Sequence, residues 1–241
     1  MASLLKRKLN AQVLGPVRPN PKTSAPEPAA KTLADQVYAQ LREALMAGQF
    51  RPGQAITLRS VAEALDISHM PVRAALLRLE AEGAIAAPTN GRTLIIPQMR
   101  ISELREIRDI RAELEGLAAE RAAAIISNTE INVADQHCHL MQTAAAAGNL
   151  EAYIRENWAF HTAVYRASRM KQLLSMIERL WLRIGPHVGM MMPDRTAMVA
   201  SMPNHHKVVE ALRRRDGFAA RAGIAADIHE SAETLSEMLS E

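Results

Sequence analysis

The sequence has few aromatic residues and almost no cysteine, and both shortages limit the possible folds. Only 3% of its 241 residues are aromatic, and Val, Ile and Thr do not cluster in alternating runs, which excludes an all-β sandwich or barrel. The single cysteine, Cys138, rules out an internal disulfide framework. It is typical of a reducing compartment, so we expect a cytoplasmic protein. No apolar run approaches about 18 residues, so we expect no membrane span.

Hydrophobic residues are abundant, whereas charge and proline are unevenly distributed. Hydrophobic residues make up 48% of the chain, enough to bury a sizeable core. The net charge is +3, yet residues 1–30 carry five basic side chains against one acidic side chain and contain five of the twelve prolines. This composition predicts a disordered basic arm over residues 1–30. Such an arm is either simply solvated or contacts DNA phosphates.

Residues 31–97 show the pattern of three short helices. Apolar residues at helical spacing predict a first helix that ends at Gly48. Thr57 is placed to cap a second helix, and Ser68 is placed to cap a third helix over His69–Glu82. A tight turn joins the second helix to the third.

A hairpin is predicted directly after these helices. The dipeptide Asn90-Gly91 lies between apolar runs at 84–87 and 93–96, which is a strong hairpin signal. Three helices with a tight turn before the third, followed by a hairpin, are typical of a winged helix-turn-helix that binds DNA.

One face of the third helix is predicted to pack on its own domain, and the opposite face is predicted to contact a partner. Val72, Leu76 and Leu79 form the apolar face, so the opposite side is left to contact base edges and phosphates. The alternative is an ordinary solvated surface. The candidate DNA-binding residues are Arg59, Ser68, His69, Met70 and Arg73, together with Gly91 and Arg92 at the tip of the wing.

Residues 98–241 are predicted to form an all-α bundle with few breaks. Gly185-Pro186 and Pro203 are expected to interrupt helices, and the segment 189–192 is expected to be an interhelical loop. The predicted helices lie near 102–126, 129–147, 150–167, 170–185, 204–214 and 217–239. The fold class is therefore mainly α, with an N-terminal winged helix-turn-helix at 31–97 and a C-terminal helical bundle at 98–241.

The segment 61–83 resembles the helix-turn-helix of the GntR family of bacterial transcription regulators. The segment 110–119, the motif Asn157-Trp-Ala-Phe-His161 and the turn Arg215-Asp216-Gly217 resemble its FadR-like branch, which carries an all-helical FCD effector domain. The resemblance covers roughly residues 31–240. It implies DNA contacts at the candidate positions named above, except Arg92. His69 stands where the family usually has an arginine, so the base read there should differ.

The resemblance also implies a divalent metal site between one aspartate and three histidines. In this sequence the four positions are Asn157, His161, His205 and Asp227. Spacing of four residues puts the first two on one helix face. His205 and Asp227 are each eleven residues from Asp216, so an antiparallel helical hairpin would bring them to the same level. The set suits Zn²⁺, Mn²⁺ or Ni²⁺; the alternative is a metal-free polar cavity.

Arg111 is the candidate clamp for a small carboxylate effector, with His161 and His205 beside it. The alternative is an ion pair between Arg111 and Glu115, four residues further on. The histidines on either side of Cys138 are turned to different faces of a helix, so they do not predict a second metal site.

These observations predict a transcriptional regulator rather than an enzyme. It should bind a pseudo-palindromic DNA operator as a homodimer, since one recognition helix reads too few bases for genomic specificity. A small molecule in the helical domain should switch its operator affinity. Two rivals remain: a metal-dependent enzyme that uses His161, His205 and Asp227, and a helical adaptor without a small ligand. The first lacks an obvious general base or nucleophile nearby in sequence.

Overall fold

The computed structural model describes residues 32–88, 93–192 and 194–238. Of these residues 79% are helical, and they form nine helices with little strand. The chain divides into two compact units, one containing the residues up to Leu45 with Phe50–Gln98, and the other containing Met46–Gln49 with the residues from Met99 onward. The predicted arm at 1–30 lies outside the described residues.

Among its described residues, the N-terminal unit has three helices and a small sheet. Val37, Leu41 and Leu45 on the first helix pack with the apolar faces of the other two helices in one core. A reciprocal pair of hydrogen bonds between Thr32 and Asp35 begins the first helix. The elements are α1 (Leu33–Met46), β1 (Ala55–Ile56), α2 (Leu58–Leu65), α3 (His69–Ala81) and β2 (Leu94–Ile95).

The turn between α2 and α3 is built by caps. Thr57 begins α2 with a capping box in which its side chain accepts a hydrogen bond from the amide of Ser60, as the sequence predicts. Asp66 ends α2 in the left-handed conformation, with φ of 54°, which an aspartate tolerates better than most residues. Ser68 occupies the N-cap position of α3, but its side chain makes no capping hydrogen bond.

The predicted hairpin pairing is confirmed. The backbones of Ala86 and Ile95 exchange two hydrogen bonds of 2.9 Å. On the other side of Ile95, β1 pairs antiparallel with β2, with Ala55 opposite Ile95. The sequence did not predict β1, because a two-residue strand has no periodicity of its own. The turn residues Asn90 and Gly91 lie outside the described residues.

The C-terminal unit is a bundle of six helices. The fourth helix of the chain packs along the last, the fifth along the sixth, and the last two form an antiparallel hairpin. A capping box between Ser127 and Glu130 begins α5. The elements are α4 (Ile101–Ile125), α5 (Asn128–Ala147), α6 (Leu150–Ala167), α7 (Lys171–Met191), α8 (Arg195–Arg213) and α9 (Gly217–Met238).

Two predicted breaks in the bundle are wrong. Helix α7 continues through Gly185-Pro186 to Met191, and α8 begins at Arg195, eight residues before Pro203. An interior proline costs about 3 kcal/mol through a lost hydrogen bond and a clash. The residues 184–188 are all buried, so packing outweighs this cost.

The predicted loop at 189–192 is wrong for the same reason. Met191 and Met192 are buried against the bundle, so this segment is the last turn of α7 and its end. None of the helices in the described ranges combines the length and the apolar character needed to cross a membrane.

Candidate functional site

Helix α3 separates a buried face from an exposed face, as the sequence predicts. Val72, Ala75, Leu76 and Leu79 are buried. The opposite side is exposed. Met70 on this side has 73% of its surface accessible, although it is a large apolar residue. The exposed candidate DNA-binding residues on and beside α3 are Ser68, His69, Met70 and Arg73.

The other predicted DNA-binding residues differ in what the structure says of them. The Arg59 side chain is 83% exposed, and its Nε donates a 2.7 Å hydrogen bond to Glu63 one turn later. That pair is weak because both groups are solvated, so the guanidinium remains available to a phosphate. Gly91 and Arg92 lie outside the described residues.

The far end of α3 is fixed to α1 by contacts that the sequence analysis missed. The Arg78 guanidinium lies 3.8 Å from the centroid of the Tyr38 ring and pairs with Asp35 at 2.7 Å. The Tyr38 hydroxyl donates a 2.6 Å hydrogen bond to Glu82. Burial, together with the Glu82 carboxylate, raises the pKa of Tyr38. These partners are at least forty residues apart, and no local pattern signals such a pairing.

In the C-terminal unit, three helices bring the predicted metal-site residues together. Asn157 and His161 lie on one face of α6, His205 on α8 and Asp227 on α9, and all four are buried. His161 Nε2 is 3.3 Å from Asp227 Oδ2, and His205 Nε2 is 3.5 Å from Asp227 Oδ1. Asn157 Oδ1 lies 3.1 Å from His205 Nε2.

The hydrogen bonds of the two imidazoles indicate which nitrogen faces the cluster without a proton. His205 Nδ1 is 3.1 Å from the Ser201 carbonyl oxygen, which only accepts, so Nδ1 carries the hydrogen. The Tyr165 hydroxyl donates to Glu115 Oε2 at 2.6 Å, so its oxygen accepts the hydrogen of His161 Nδ1 at 2.8 Å. An imidazole that carries its hydrogen on Nδ1 offers the lone pair of Nε2 to a cation.

The donor set fits a divalent cation. His161, His205 and Asp227 offer ligand atoms within 4.8 Å of one another, and the buried Asp227 Oδ1 has no hydrogen-bond partner within the described part of the chain. Ligands about 2.1 Å from a tetrahedral ion lie about 3.4 Å apart, close to the distances from each imidazole to Asp227.

The surroundings lower the pKa of both His205 and Asp227, the two groups at the centre of the cluster. Burial lowers the pKa of His205, although the Asp227 carboxylate opposes this effect. Burial alone would raise the pKa of Asp227, but His205 and His161 outweigh it and lower that pKa. A neutral imidazole and an ionised carboxylate are the forms that bind a metal.

Arg111 lies beside this cluster, but Glu115 already holds it. Its Nε donates to Glu115 Oε1 at 2.6 Å, and both residues are buried. Burial opposes the charge on Arg111, yet the Glu115 carboxylate raises the pKa of the guanidinium. The Trp181 ring lies 4.7 Å from the guanidinium carbon and 5.6 Å from the His161 ring. The ion pair that sequence analysis held as the alternative is therefore present.

The remaining histidines do not join a second cluster. His137 pairs with Glu156 at 2.9 Å, and His139 bonds a backbone oxygen of its own helix, as expected of residues on different faces. The buried Cys138 thiol is 3.6 Å from His206 Nδ1. Burial raises the pKa of Cys138 to about 12, so the thiol is unreactive. Across the described ranges, the group at His161, His205 and Asp227 is the one found with metal-ligand geometry.

Sequence analysis missed two members of the site, Tyr165 and Trp181. Tyr165 follows His161 by four residues on the same helix, a spacing that could have signalled the contact. Trp181 comes from α7, and only packing brings it to His161.

A winged helix-turn-helix with an exposed recognition helix, joined to a helical unit with a buried polar cluster, defines a class of effector-responsive DNA-binding regulators. The sequence comparisons identify the family. The profile described as bacterial regulatory proteins, gntR family, matches residues 33–95, and the FCD domain profile matches residues 106–230. The chain belongs to the GntR family of transcriptional regulators and carries the FCD effector-binding domain.

Individual relatives agree with this assignment. The chain is 32% identical to the HTH-type transcriptional regulator McbR of Escherichia coli over 77% of its own length and 84% of that protein. It is 26% identical to the uncharacterized HTH-type transcriptional regulator YdhC of Bacillus subtilis, over 86% of this chain and 92% of that protein. The solved structure of McbR superposes with a TM-score of 0.80 and covers 88% of this chain and all of that one, at 28% identity. The relatives of this chain are named as transcriptional regulators, which indicates that it is a regulator and not an enzyme.

Proposed function

We propose that this regulator binds a pseudo-palindromic operator as a cytoplasmic homodimer. Its affinity for the operator falls or rises when a small carboxylate enters the C-terminal domain. In this proposal residues 31–97 bind DNA, residues 98–241 bind the effector and dimerise, and residues 1–30 form a basic arm. The buried polar cluster around Asp227 carries the proposal, because polar groups in a bundle core are costly unless they bind something.

The recognition surface supports DNA readout by α3. Arg73 lies one turn beyond His69 on the exposed face, where it would reach a base edge or an adjacent phosphate. Ser68, His69 and Met70 would enter the major groove first, with Arg59 on a neighbouring phosphate. Gly91 and Arg92 would complete the contacts from the wing. Two such helices, related by the dimer axis, would read two half-sites.

The cluster supports a divalent metal held by His161, His205 and Asp227, with the Asn157 carbonyl as a weaker fourth ligand. Two imidazoles and a carboxylate suit Zn²⁺, Mn²⁺ or Ni²⁺. A metal bound there would supply positive charge for an incoming carboxylate and would link α6, α8 and α9.

The surroundings of the cluster suggest how the carboxylate would be held. Glu115 engages Nε and Nη2 of Arg111, which leaves Nη1 to meet a ligand oxygen beside His161 and His205. The buried Trp181 Nε1 has no hydrogen-bond partner among the described residues and would be a second donor. A ligand shifts the operator affinity only by its preference for one arrangement of the dimer, typically 1–3 kcal/mol, or about 5- to 150-fold.

The test is operator binding by fluorescence anisotropy, on a duplex from the gene's own upstream region, with a panel of organic acids added in the presence and absence of EDTA. Asp227→Ala and His161→Ala should keep basal operator binding but lose the response to the acid that acts on the wild type. His229→Ala is the matched control, since His229 is exposed two residues from Asp227. A variant of Asp227 with a full response would show that the cluster is structural.

Two further measurements separate the parts of this proposal. A thermal shift with organic acids that disappears on EDTA treatment would support the metal, whereas a shift unchanged by EDTA would assign the binding to protein groups alone. A strict monomer in size-exclusion chromatography with light scattering would contradict the dimer.

A further inference from the structure

The two imidazoles of the buried cluster are oriented by different kinds of partner. His205 Nδ1 lies 3.1 Å from the backbone oxygen of Ser201, whereas His161 Nδ1 lies 2.8 Å from the side-chain oxygen of Tyr165. A backbone carbonyl accepts whatever the neighbouring side chains do. A hydroxyl can either donate or accept, so the proton position on His161 depends on what Tyr165 does with its own hydrogen.

Glu115 decides the direction of the Tyr165 hydroxyl. Its Oε2 accepts the Tyr165 hydrogen at 2.6 Å, while its Oε1 accepts from Arg111 Nε at 2.6 Å. Both carboxylate oxygens of Glu115 therefore act as acceptors, one for the Arg111 guanidinium and one for the Tyr165 hydroxyl. The Tyr165 hydrogen therefore points away from His161, and the phenol oxygen faces the imidazole.

We propose that Glu115 and Tyr165 are positioning residues that keep the proton of His161 on Nδ1 and so present Nε2 to the metal. The chain of groups runs from Arg111 on α4, through Glu115, to Tyr165 and His161 on α6, and each link is buried. Partners of this kind fix the tautomer of a ligating histidine and raise its basicity. The metal part of this inference rests on the proposed function, but the tautomer does not.

Two substitutions change the chain of hydrogen bonds in different ways. Tyr165→Phe removes the acceptor for His161 Nδ1, so the proton should move to Nε2, where Asp227 Oδ2 lies 3.3 Å away. Glu115→Gln should reverse the chain. Arg111 selects the amide oxygen of the glutamine, so its NH₂ group faces Tyr165, and the phenol must then donate to His161 Nδ1.

The tautomer is read in the metal-free protein, from two-bond proton–nitrogen correlations of ¹⁵N-labelled imidazoles. The wild type should show His161 as the Nδ1–H form, and both variants should show it as the Nε2–H form. The affinity for Zn²⁺ alone, measured by competition with a chromophoric chelator, should fall about 10- to 100-fold in each variant. Because the two variants act on different residues, failure of one to fold leaves the other to decide.

Two controls separate positioning from general loosening of the bundle. Tyr38→Phe removes an equivalent phenol-to-glutamate hydrogen bond, also of 2.6 Å, from the N-terminal unit, and should change neither readout. His205 is the internal control, because its backbone partner keeps it in the Nδ1–H form in every variant.

The proposal is overturned if His161 stays in the Nδ1–H form in a folded Tyr165→Phe or Glu115→Gln variant, or if its tautomer changes together with that of His205. A wild type that shows the expected tautomers but binds no Zn²⁺ would instead overturn the metal site of the proposed function and leave the positioning role supported.

Discussion

The N-terminal unit exposes the residues proposed to bind DNA, whereas the C-terminal unit buries those proposed to bind metal and effector. Met70 and Arg73 face solvent on α3, and Arg59 is 83% exposed. In contrast, Glu115 and His161 are no more than 1% exposed. An exposed side chain can contact a partner at little cost in folding stability. A buried polar group, in contrast, needs hydrogen-bond partners within the folded protein.

Because of this difference, the residues for function and for folding stability are separate in the N-terminal unit, whereas in the C-terminal unit the same residues serve both. On α3, the buried residues Val72 and Leu79 hold the helix while its exposed neighbours contact DNA. In the bundle, Glu115 accepts the hydrogen bond of Tyr165, which orients His161, and it also pairs with Arg111. A substitution in the bundle therefore changes the response and the stability together, and the following variants test this contrast.

The largest effect is expected for Glu115→Ala, which leaves Arg111 buried without its carboxylate. Breaking a buried ion pair in this way costs about 3–5 kcal/mol in the free energy of unfolding. Urea denaturation followed by tryptophan fluorescence measures it, since both tryptophans, Trp158 and Trp181, lie in the C-terminal unit.

The matched control for Glu115→Ala is the double variant Arg111→Met with Glu115→Leu, which removes both charges and fills the space. It should recover most of the lost stability, because apolar replacement of a whole buried pair is often neutral or favourable. A loss below about 1 kcal/mol in the single variant would mean that water reaches Arg111, contrary to the contrast drawn between the units.

Arg73→Ala should weaken operator binding by about 1–3 kcal/mol if the arginine contacts a base, without lowering the melting temperature. Arg78→Ala, on the same helix, is the control. Arg78 pairs with Asp35 and packs on Tyr38, so its loss should lower stability more than operator affinity. Full-strength operator binding by Arg73→Ala would show that another face of α3 reads DNA.

The smallest expected effect distinguishes two N-caps of the N-terminal unit. Thr57→Ala should cost about 1 kcal/mol in the free energy of unfolding, because Thr57 forms both hydrogen bonds of a capping box. Ser68→Ala should cost close to nothing, because the Ser68 side chain makes no capping bond. Thermal denaturation of the two variants side by side measures the difference. Equal losses would contradict the distinction.

Short-range patterns predicted much of the N-terminal unit. The cap at Thr57 lies within a few residues of its partner, so local rules apply to it directly. The separation of Val72 from Arg73 follows from helical periodicity alone. The strand Ala55–Ile56 was missed, since it exists only through its pairing with Leu94–Ile95.

In the C-terminal unit, the sequence predicted which residues meet but not how they are bonded. The equal distance of His205 and Asp227 from the turn at Asp216 predicted their approach, because an antiparallel hairpin has fixed geometry. The continuation of α7 through Pro186 was not predictable, since the penalty of a proline is local whereas the burial that offsets it is contributed by several helices.

The sequence by itself determined the winged helix-turn-helix and its exposed recognition surface, because helical period, capping and turn chemistry act over short spans of chain. The identity of the cluster residues came from the resemblance of the sequence to the FCD domain. Only the tertiary structure decided between the partners that the sequence left open for Arg111, joined Tyr165 to Glu115 and brought Asp227 to His161. Tyr165 and Glu115 are 50 positions apart, and the packing of α4, α6, α8 and α9 selects among the partners that such polar side chains could choose.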